Sequence, residues 1–571
     1  MDMEKKMSER KFHITALALL SGFFILCYIL PLGLRDMMRP DEFRYGEIPR
    51  EMIASGNWTT PLLVGARYFE KPALGYQWSA LSMKCFGENA FAVRLPSALA
   101  VGITMLMIYQ LCVGNNRNRW LAPLASMIYL SFAMVLGVGG FAVLDSQLTM
   151  ALSWCIGAYF LACQAQKTTS AVFYLLLAGL AAGAAFLFKG FLAFAVPVAV
   201  IVPFLIWQKD WKKFFTTPWL PLVMAVALAL PWSIAIWKEE PDFWNYFFIE
   251  EHVKRFTSGT YDRDPEPFWF FVPILLGGML PGGLLLLTAW RGVKKSFLSD
   301  ELVRFCLCWS VMPFLLFSAS SCKTGTYILP CFPPLAILIA GALLAAMDNA
   351  QEKTEKFLKI SCSVWAWLLI VLSTLSVVFL GVWRVKLVET LPIFDPLDPL
   401  PLIAAAVAAV CGSALLLHSK RNILLQLALA LAAFGLITFW SAPAVLSDST
   451  NPDKMPEKTL RKLCQTAEIM PGDAVVVDRA AAAAVAWVLH RTDLIVLGRI
   501  GEFNYAFTKY PDEYKGRYYP ANKLTELLED TGARRVFYII CRDTKKAAYP
   551  SDWPIKRSFS EQGVTVAEFE K

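Results

Sequence analysis

Stretches of about twenty apolar residues, each long enough for a helix to cross a bilayer, recur along most of this chain. No feature constrains the fold more. A backbone in lipid must satisfy its own hydrogen bonds, as a helix or a closed barrel. Thirteen candidate spans are read at 13–32, 90–112, 119–138, 147–166, 172–188, 191–207, 218–237, 268–290, 302–320, 327–347, 358–382, 400–419 and 424–444. Only Lys189 and Gly190 separate the fifth from the sixth. The first span has no small-residue cleavage site after it, so it is read as a crossing helix and not as a signal peptide. Of 571 residues 56% are hydrophobic and 18% charged, against about 25% charged in a soluble chain. Disorder, collagen, coiled coil and disulfide-rich secreted scaffolds are thereby excluded. The 13 cysteines form no Cys-x-x-Cys pair, which argues against a zinc ribbon or a disulfide framework.

The net charge of +8 raises the question of nucleic acid, and its distribution answers it. Basic residues gather in every second loop: Lys5, Lys6, Arg10 and Lys11; Arg117 and Arg119; Lys167; Lys209, Lys212 and Lys213; Arg291, Lys294 and Lys295; Lys353, Lys356 and Lys359; Lys420 and Arg421. Lys and Arg in short loops mark the cytoplasmic side. The N-terminus is therefore expected in the cytoplasm, and an odd number of spans places the C-terminus outside. The basic excess is an orientation signal, and no nucleic-acid partner is expected.

Two units are expected: a transmembrane domain over 1–445 and a soluble α/β domain over 446–571. In the second, 446–471 reads as a linker with an amphipathic helix. Strands are predicted at 474–478, 493–498 and 534–541, and helices at 480–490 and 521–530. Cys464 and Cys541 fall there, with nothing in the sequence to pair them.

With the spans placed, the unusual polar residues all fall on the outer side: Asp41, Glu42, Arg44, Glu70, Lys71, Asp145, Lys189, His252, Arg255 and Lys323. A proton- or ion-coupled transporter should carry ionisable residues near the midplane; concentration at one interface suits an enzyme acting on a lipid head group. The segment 39–52 reads as an interfacial helix with Pro40 in its first turn and Asp41 and Glu42 at its exposed start. Tyr45, Ile48 and Met52 recur at helical spacing, as if to rest on the membrane. A second short helix is expected after Pro72. Taken singly, each polar residue has an ordinary reading: Asp145 as a helix cap, Lys189 as a snorkelling lysine, Glu70 and Lys71 as a solvated pair, and Lys323 and His252 as structural.

In combination the motifs are specific. Arg-Pro-Asp-Glu-Phe-Arg-Tyr at 39–45, Tyr-Phe-Glu-Lys-Pro at 68–72 and Phe-Ala-Val-Arg-Leu-Pro-Ser at 91–97 resemble the first outer loop and second span of the ArnT-like lipid A glycosyltransferases. These are polyprenyl-phosphate-sugar-dependent membrane enzymes of the GT-C class. Asp145, Phe-Lys-Gly at 188–190, Glu-His-Val-Lys-Arg-Phe at 251–256 and Lys-Thr-Gly-Thr-Tyr-Ile-Leu-Pro at 323–330 extend the likeness. Leu-Gly-Arg-Ile-Gly-Glu-Phe-Asn-Tyr at 497–505 resembles the aminoarabinose transferase branch, whose members also carry thirteen spans and an outer α/β domain. Thr324-Gly325 and Pro72-Ala73 depart from the Leu-Pro and Pro-Pro often found there; neither departure removes a polar group.

The resemblance implies a polytopic α-helical GT-C membrane protein that moves a sugar, 4-amino-4-deoxy-L-arabinose by the branch, from undecaprenyl phosphate to lipid A. It implies Asp41, Glu42 and Asp145 as catalytic acids. Arg44, Lys71, Lys189, Arg255, Lys323 and Tyr327 would hold the lipid phosphate and substrate. Glu70 and His252 are a carboxylate–imidazole pair suited to a divalent metal, zinc by the branch; no nucleotide cofactor is expected. The protein is expected as a monomer in a Gram-negative inner membrane, its site facing the periplasm. A eukaryotic protein O-mannosyltransferase shares the first-loop acids but inserts a large domain between the seventh and eighth spans, where this chain has only 238–267. A flippase should show midplane charge or repeated halves, and neither is present in the sequence. A non-enzymatic scaffold leaves the convergent outer charges unexplained.

Overall fold

The computed structural model describes residues 2–114, 118–254, 266–382, 422–445, 454–541 and 553–570, with isolated helical positions between 407 and 414. Among these, seven helices are long and apolar enough to cross a membrane, and up to nine if each of two bent pairs counts as one. The pairs are Leu121–Ser131 with Ala133–Gly139, bent by 65°, and Phe271–Gly278 with Gly282–Gly292, bent by 86°. Two more expected spans form shorter apolar helices, Leu192–Gln208 and Ile423–Thr438. The expected span at 400–419 lies largely outside the described residues.

Helical residues run without interruption from Phe332 to Val382, through the basic loop expected around Lys353. No Gly or Pro breaks the sequence there, so local propensity carries the helix onward. Yet the Thr354 hydroxyl donates to the Ala346 carbonyl at 3.4 Å. Eight residues of straight helix span about 12 Å, so the run must bend sharply at that loop.

The Asp41–Ser55 helix lies where the sequence placed it, with a different environment. Ile48 and Met52 are fully buried, in a cluster shared with the helix Arg479–Leu489 of the C-terminal domain. They rest on protein and not on the membrane. Gly46 makes this close docking possible: a Cβ there would meet the Trp487 ring at 3.3 Å. The helix Leu74–Phe86 follows, after a hairpin of β1 (Leu62–Leu63) and β2 (Ala66–Arg67).

The C-terminal domain holds a six-stranded sheet. Its strands are β3 (Ala474–Val477), β4 (Ile495–Leu497), β5 (Tyr518–Tyr519), β6 (Val536–Cys541), β7 (Ile555–Glu561) and β8 (Val564–Phe569), in the order β5-β4-β3-β6-β8-β7. The first four are parallel and β8 and β7 add an antiparallel edge. The Arg479–Leu489 helix packs on this sheet and turns its other side to the Asp41–Ser55 helix. The loops at the carboxyl ends of β3 and β4 are thereby brought toward the membrane domain.

Polar ties fix that arrangement. The Arg39 guanidinium donates to the Ala480 carbonyl at 3.1 Å, and Arg517 to the Val64 carbonyl at 2.7 Å. Lys458 pairs with Asp36 at 3.1 Å. Arg67 reaches Glu240 at 2.7 Å and Glu513 at 2.7 Å, with its guanidinium 4.2 Å from the centre of the Tyr510 ring.

Candidate active site

A cavity of about 2180 Å³ opens between the ends of the spans and the C-terminal domain. Its floor comes from the two bent helix pairs, through Ala133, Met134, Gly137, Gly277 and Gly278. The backbone nitrogen of Ala133 donates to the Leu280 carbonyl at 2.7 Å, joining the two breaks. Broken helices at membrane depth are tolerated where they line a cavity, and the lining these breaks contribute is apolar.

The walls carry the polar residues. Asp41, Arg44, Glu70, Lys71, Asp145, Lys189 and Tyr327 all line the cavity, so seven residues from four separate segments of the chain converge. Asp145 is the first residue of the Asp145–Gln164 helix, but its carboxylate does not cap that helix. It accepts from Lys189 Nζ at 2.6 Å, and Lys189, mostly buried, also stands 4.8 Å from the centre of the Tyr327 ring. Lys71 donates to the Glu70 carbonyl at 2.6 Å. Arg44 pairs with Asp41 on one side and with Glu502 at 3.3 Å on the other.

That last contact crosses from the first outer loop to the C-terminal domain, and it has an electrostatic consequence. Burial pushes the Glu502 carboxyl above its usual range, and Arg44 offsets the rise only in part. Burial also opposes the charge on Arg44, but Tyr68, Glu502, Asp41 and Glu70 around it hold its guanidinium firmly protonated.

Glu42 is placed elsewhere. It is fully buried and absent from the cavity lining. Its carboxylate accepts from Arg94 at 2.7 and 2.9 Å, from Arg35 at 2.6 and 3.1 Å, and from the backbone nitrogens of Met38 and Ala142. With those lone pairs engaged it has no capacity left for substrate, so its position is that of a structural knot and not of a catalytic acid. Arg94 is equally committed, donating also to the carbonyls of Leu32, Arg35 and Asp36. Burial alone would raise the Glu42 pKa; Arg94 and Arg35 outweigh it and bring the carboxyl down to about 2.

Lys323 also departs from expectation. Its neighbours Thr324 and Thr326 reach the cavity, whereas Lys323 is buried and donates to the Glu266 carbonyl at 2.7 Å. Arg255 and the side chain of His252 lie outside the described residues. For a metal the cavity therefore presents Glu70, and no group of three His, Cys, Asp or Glu side chains gathers among the described residues.

The cavity also contains residues that the sequence reading did not single out. Asp242, Tyr246 and Glu250 come from the segment after the Trp219–Glu239 helix, helical from Phe243 on. Arg479, Arg499, Glu502, Tyr505 and Lys509 come from the C-terminal domain. The one signal available was the 497–505 motif, which marked the branch without revealing that it faced the site.

Comparison with known proteins follows the same division. Residues 13–247 match the dolichyl-phosphate-mannose-protein mannosyltransferase family, and residues 451–567 match arabinosyl transferase ArnT, C-terminal domain. The chain is 36% identical over 533 residues to the undecaprenyl phosphate-alpha-4-amino-4-deoxy-L-arabinose arabinosyl transferase of Erwinia tasmaniensis, covering 90% of each. It is 37% identical over 497 residues to the protein of the same name from Yersinia pestis, covering 87% of each. Its fold is similar to the crystal structure of ArnT from Cupriavidus metallidurans bound to undecaprenyl phosphate, with a TM-score of 0.77, 21% identity, and coverage of 96% of this chain and 97% of that one.

Proposed function

The chain belongs to the undecaprenyl phosphate-alpha-4-amino-4-deoxy-L-arabinose arabinosyl transferase family, and from that premise we propose how its cavity performs the transfer. The protein is a membrane glycosyltransferase that takes its sugar from undecaprenyl phosphate. The acceptor is a lipid A phosphate, and the reaction takes place on the periplasmic face of a Gram-negative inner membrane, in a monomer. One observation carries this reading: an apolar floor of broken helices lies beneath a ring of outer-face cations and acids in one cavity. That combination fits a lipid tail below a phosphate and a sugar.

The chemistry is a displacement. An anionic oxygen of the acceptor phosphate attacks the anomeric carbon. The bond from that carbon to the undecaprenyl phosphate oxygen breaks, and its electron pair leaves with the lipid phosphate. Attack opposite the leaving group inverts the centre. A phosphate monoester has its second pKa near about 6, so at neutral pH the nucleophile is already ionised and needs positioning more than deprotonation. Asp41, held by Arg44, orients the acceptor and faces the positive charge that develops on the sugar. Lys71 and the Tyr327 hydroxyl stabilise the negative charge growing on the leaving phosphate, with Arg255 assigned to the same role by its motif. Lys189 neutralises Asp145, so that pair fixes the cavity wall beside Tyr327 and does not supply a free base.

A zinc ion held by Glu70 and His252 belongs to the same reading. It would tie the first outer loop to the histidine loop, and no step above depends on it. Metal content of the purified protein and of Glu70→Gln tests it directly.

The decisive experiment is mass spectrometry of lipid A from cells with and without the intact gene. A gain consistent with one added aminopentose, lost on deletion, supports donor and acceptor together. Lipid A of unchanged mass in expressing cells overturns the acceptor.

A further inference from the structure

Of the three cavity cations the C-terminal domain supplies, two lie at the carboxyl ends of neighbouring parallel strands. Arg479 follows β3 and opens the Arg479–Leu489 helix; Arg499 follows β4 in the run Gly-Arg-Ile-Gly at 498–501. Open α/β sheets bind ligands in the crevice outside these strand ends. Here that crevice faces the membrane domain and is part of the cavity wall.

Arg479 reaches the loop that carries Arg499. The Arg479 guanidinium lies so close to Gly501 that a Cβ there would stand 2.5 Å from its Nη1. Gly501 has φ +54°, a backbone conformation that favours glycine. Arg479 thus lies across the turn that carries Arg499. The acids nearby are Glu502, which pairs with Arg44, and Asp478, whose carboxylate caps the helix by accepting from Ala481 nitrogen at 2.9 Å.

Arg499 differs from the other cavity cations. Lys189 is matched to Asp145, Arg44 to Asp41 and Glu502, and Lys509 to Asp242 at 3.2 Å. Arg499 is exposed to the cavity and has no hydrogen-bond or ion-pair partner among the described residues. The cavity is also larger than one head group needs: a site for a single small ligand holds about 300–1,000 Å³, against about 2180 Å³ here.

We propose that Arg499, with Arg479 beside it, forms an anion subsite on the C-terminal domain that takes a phosphomonoester of the acceptor, separate from the membrane-side cations that hold the donor's lipid phosphate. This rests on the transfer to a lipid A phosphate argued above. A guanidinium presents paired N–H groups to phosphate oxygens. The domain is thereby part of substrate recognition as well as a cover for the site.

The test uses the full-length protein in lipid nanodiscs, with lipid A as acceptor and the undecaprenyl-phosphate-linked aminosugar as donor. Arg499→Ala should raise the acceptor KM about tenfold, as expected for one lost charged contact. Arg499→Glu should raise it further, and Arg499→Lys should restore part of the loss. Affinity for undecaprenyl phosphate, measured by calorimetry, and kcat at saturating acceptor should both stay within about twofold. Arg479→Lys, which keeps the charge and loses the fork, should shift the acceptor KM in the same direction. An unchanged acceptor KM in Arg499→Ala and Arg499→Glu overturns the subsite. Parallel weakening of undecaprenyl phosphate binding would assign Arg499 to the donor phosphate and overturn it too. A wild-type protein that binds undecaprenyl phosphate yet loads no lipid A would overturn the acceptor reading, and this subsite with it.

Discussion

Asp41 and Glu42 are adjacent in the chain, and their side chains serve different purposes. Successive residues of a helix point about 100° apart, so a pair at a helix start cannot share one target. Asp41 lines the cavity; Glu42 turns into the protein onto Arg94 and Arg35. The sequence identified both as unusual, because charge on the outer face of a membrane protein is conspicuous, but it carried no information on direction. Asp41→Asn should abolish transfer while undecaprenyl phosphate still binds; turnover near wild type would remove Asp41 from the mechanism. Lys71→Ala should weaken undecaprenyl phosphate binding, and an unchanged affinity would count against the phosphate clamp. Glu42→Gln should act on stability. The Glu42 pKa is lowered in the folded state from 4.5 to about 2, so its contribution is fully present above pH 4.5 and is lost as pH falls toward 2. At neutral pH the variant should lose about 3 kcal/mol, since it leaves two buried guanidinium groups without their carboxylate. The gap between the thermal melts of the two proteins should shrink as pH falls from 4.5 and close only near pH 2; a constant gap across that range would contradict the assignment.

At the scale of elements, one of the two spans that only Lys189 and Gly190 separate makes a close helix contact with a later span. Gly179 and Gly183 on the Thr168–Lys189 helix face the Trp219–Glu239 helix. A Cβ at Gly179 would stand 2.5 Å from the Pro221 carbonyl oxygen, and one at Gly183 2.8 Å from that of Ala225. Small residues four apart let membrane helices approach closely, and the groups in the way are backbone, which cannot swing aside. Gly179→Ala should therefore cost about 1–3 kcal/mol, read as a lower melting temperature and less folded protein, even though Ala is the better helix former in isolation. An unchanged melt would show that the helices can separate freely. The elements that were hard to read have equally physical reasons. β5 is two residues long, too short for any periodicity. In β7, Lys556, Arg557, Ser558 and Ser560 give the sequence of a polar loop, and only pairing with β8 makes it a strand. The strands that were legible, β3, β4 and β6, are apolar runs bounded by polar or glycine residues, as buried parallel strands should be.

At the scale of the molecule, the cavity is a shared surface, because residues more than 400 positions apart form opposite walls. This is the part of the site that no local pattern reveals: Arg499 and Glu502 acquire their meaning only when the sheet is docked on the first outer loop. It follows that loosening the docking should impair catalysis before it impairs the fold. Arg67 tests this, since it joins three parts of the molecule: the first outer loop, the end of the Trp219–Glu239 helix through Glu240, and the C-terminal domain through Glu513, Tyr510 and Tyr514. It does not line the cavity. Arg67→Ala should lower kcat about tenfold, equivalent to about 1.4 kcal/mol, and should speed release of the C-terminal domain in limited proteolysis. Undecaprenyl phosphate binding should remain within about twofold, because Lys71 and Tyr327 keep their positions. Burial raises the Glu240 carboxyl pKa and Arg67 opposes that rise, so without Arg67 it should rise further and Glu240 should protonate more readily. The variant's defect should then ease as pH falls, when the unpaired carboxylate becomes neutral. Arg67→Lys should restore little, since one ammonium cannot reach both acids and lie flat on Tyr510 as a guanidinium does. Wild-type kcat in Arg67→Ala together with faster proteolysis would mean that the domain's position does not matter to the reaction, and that the membrane-side residues suffice.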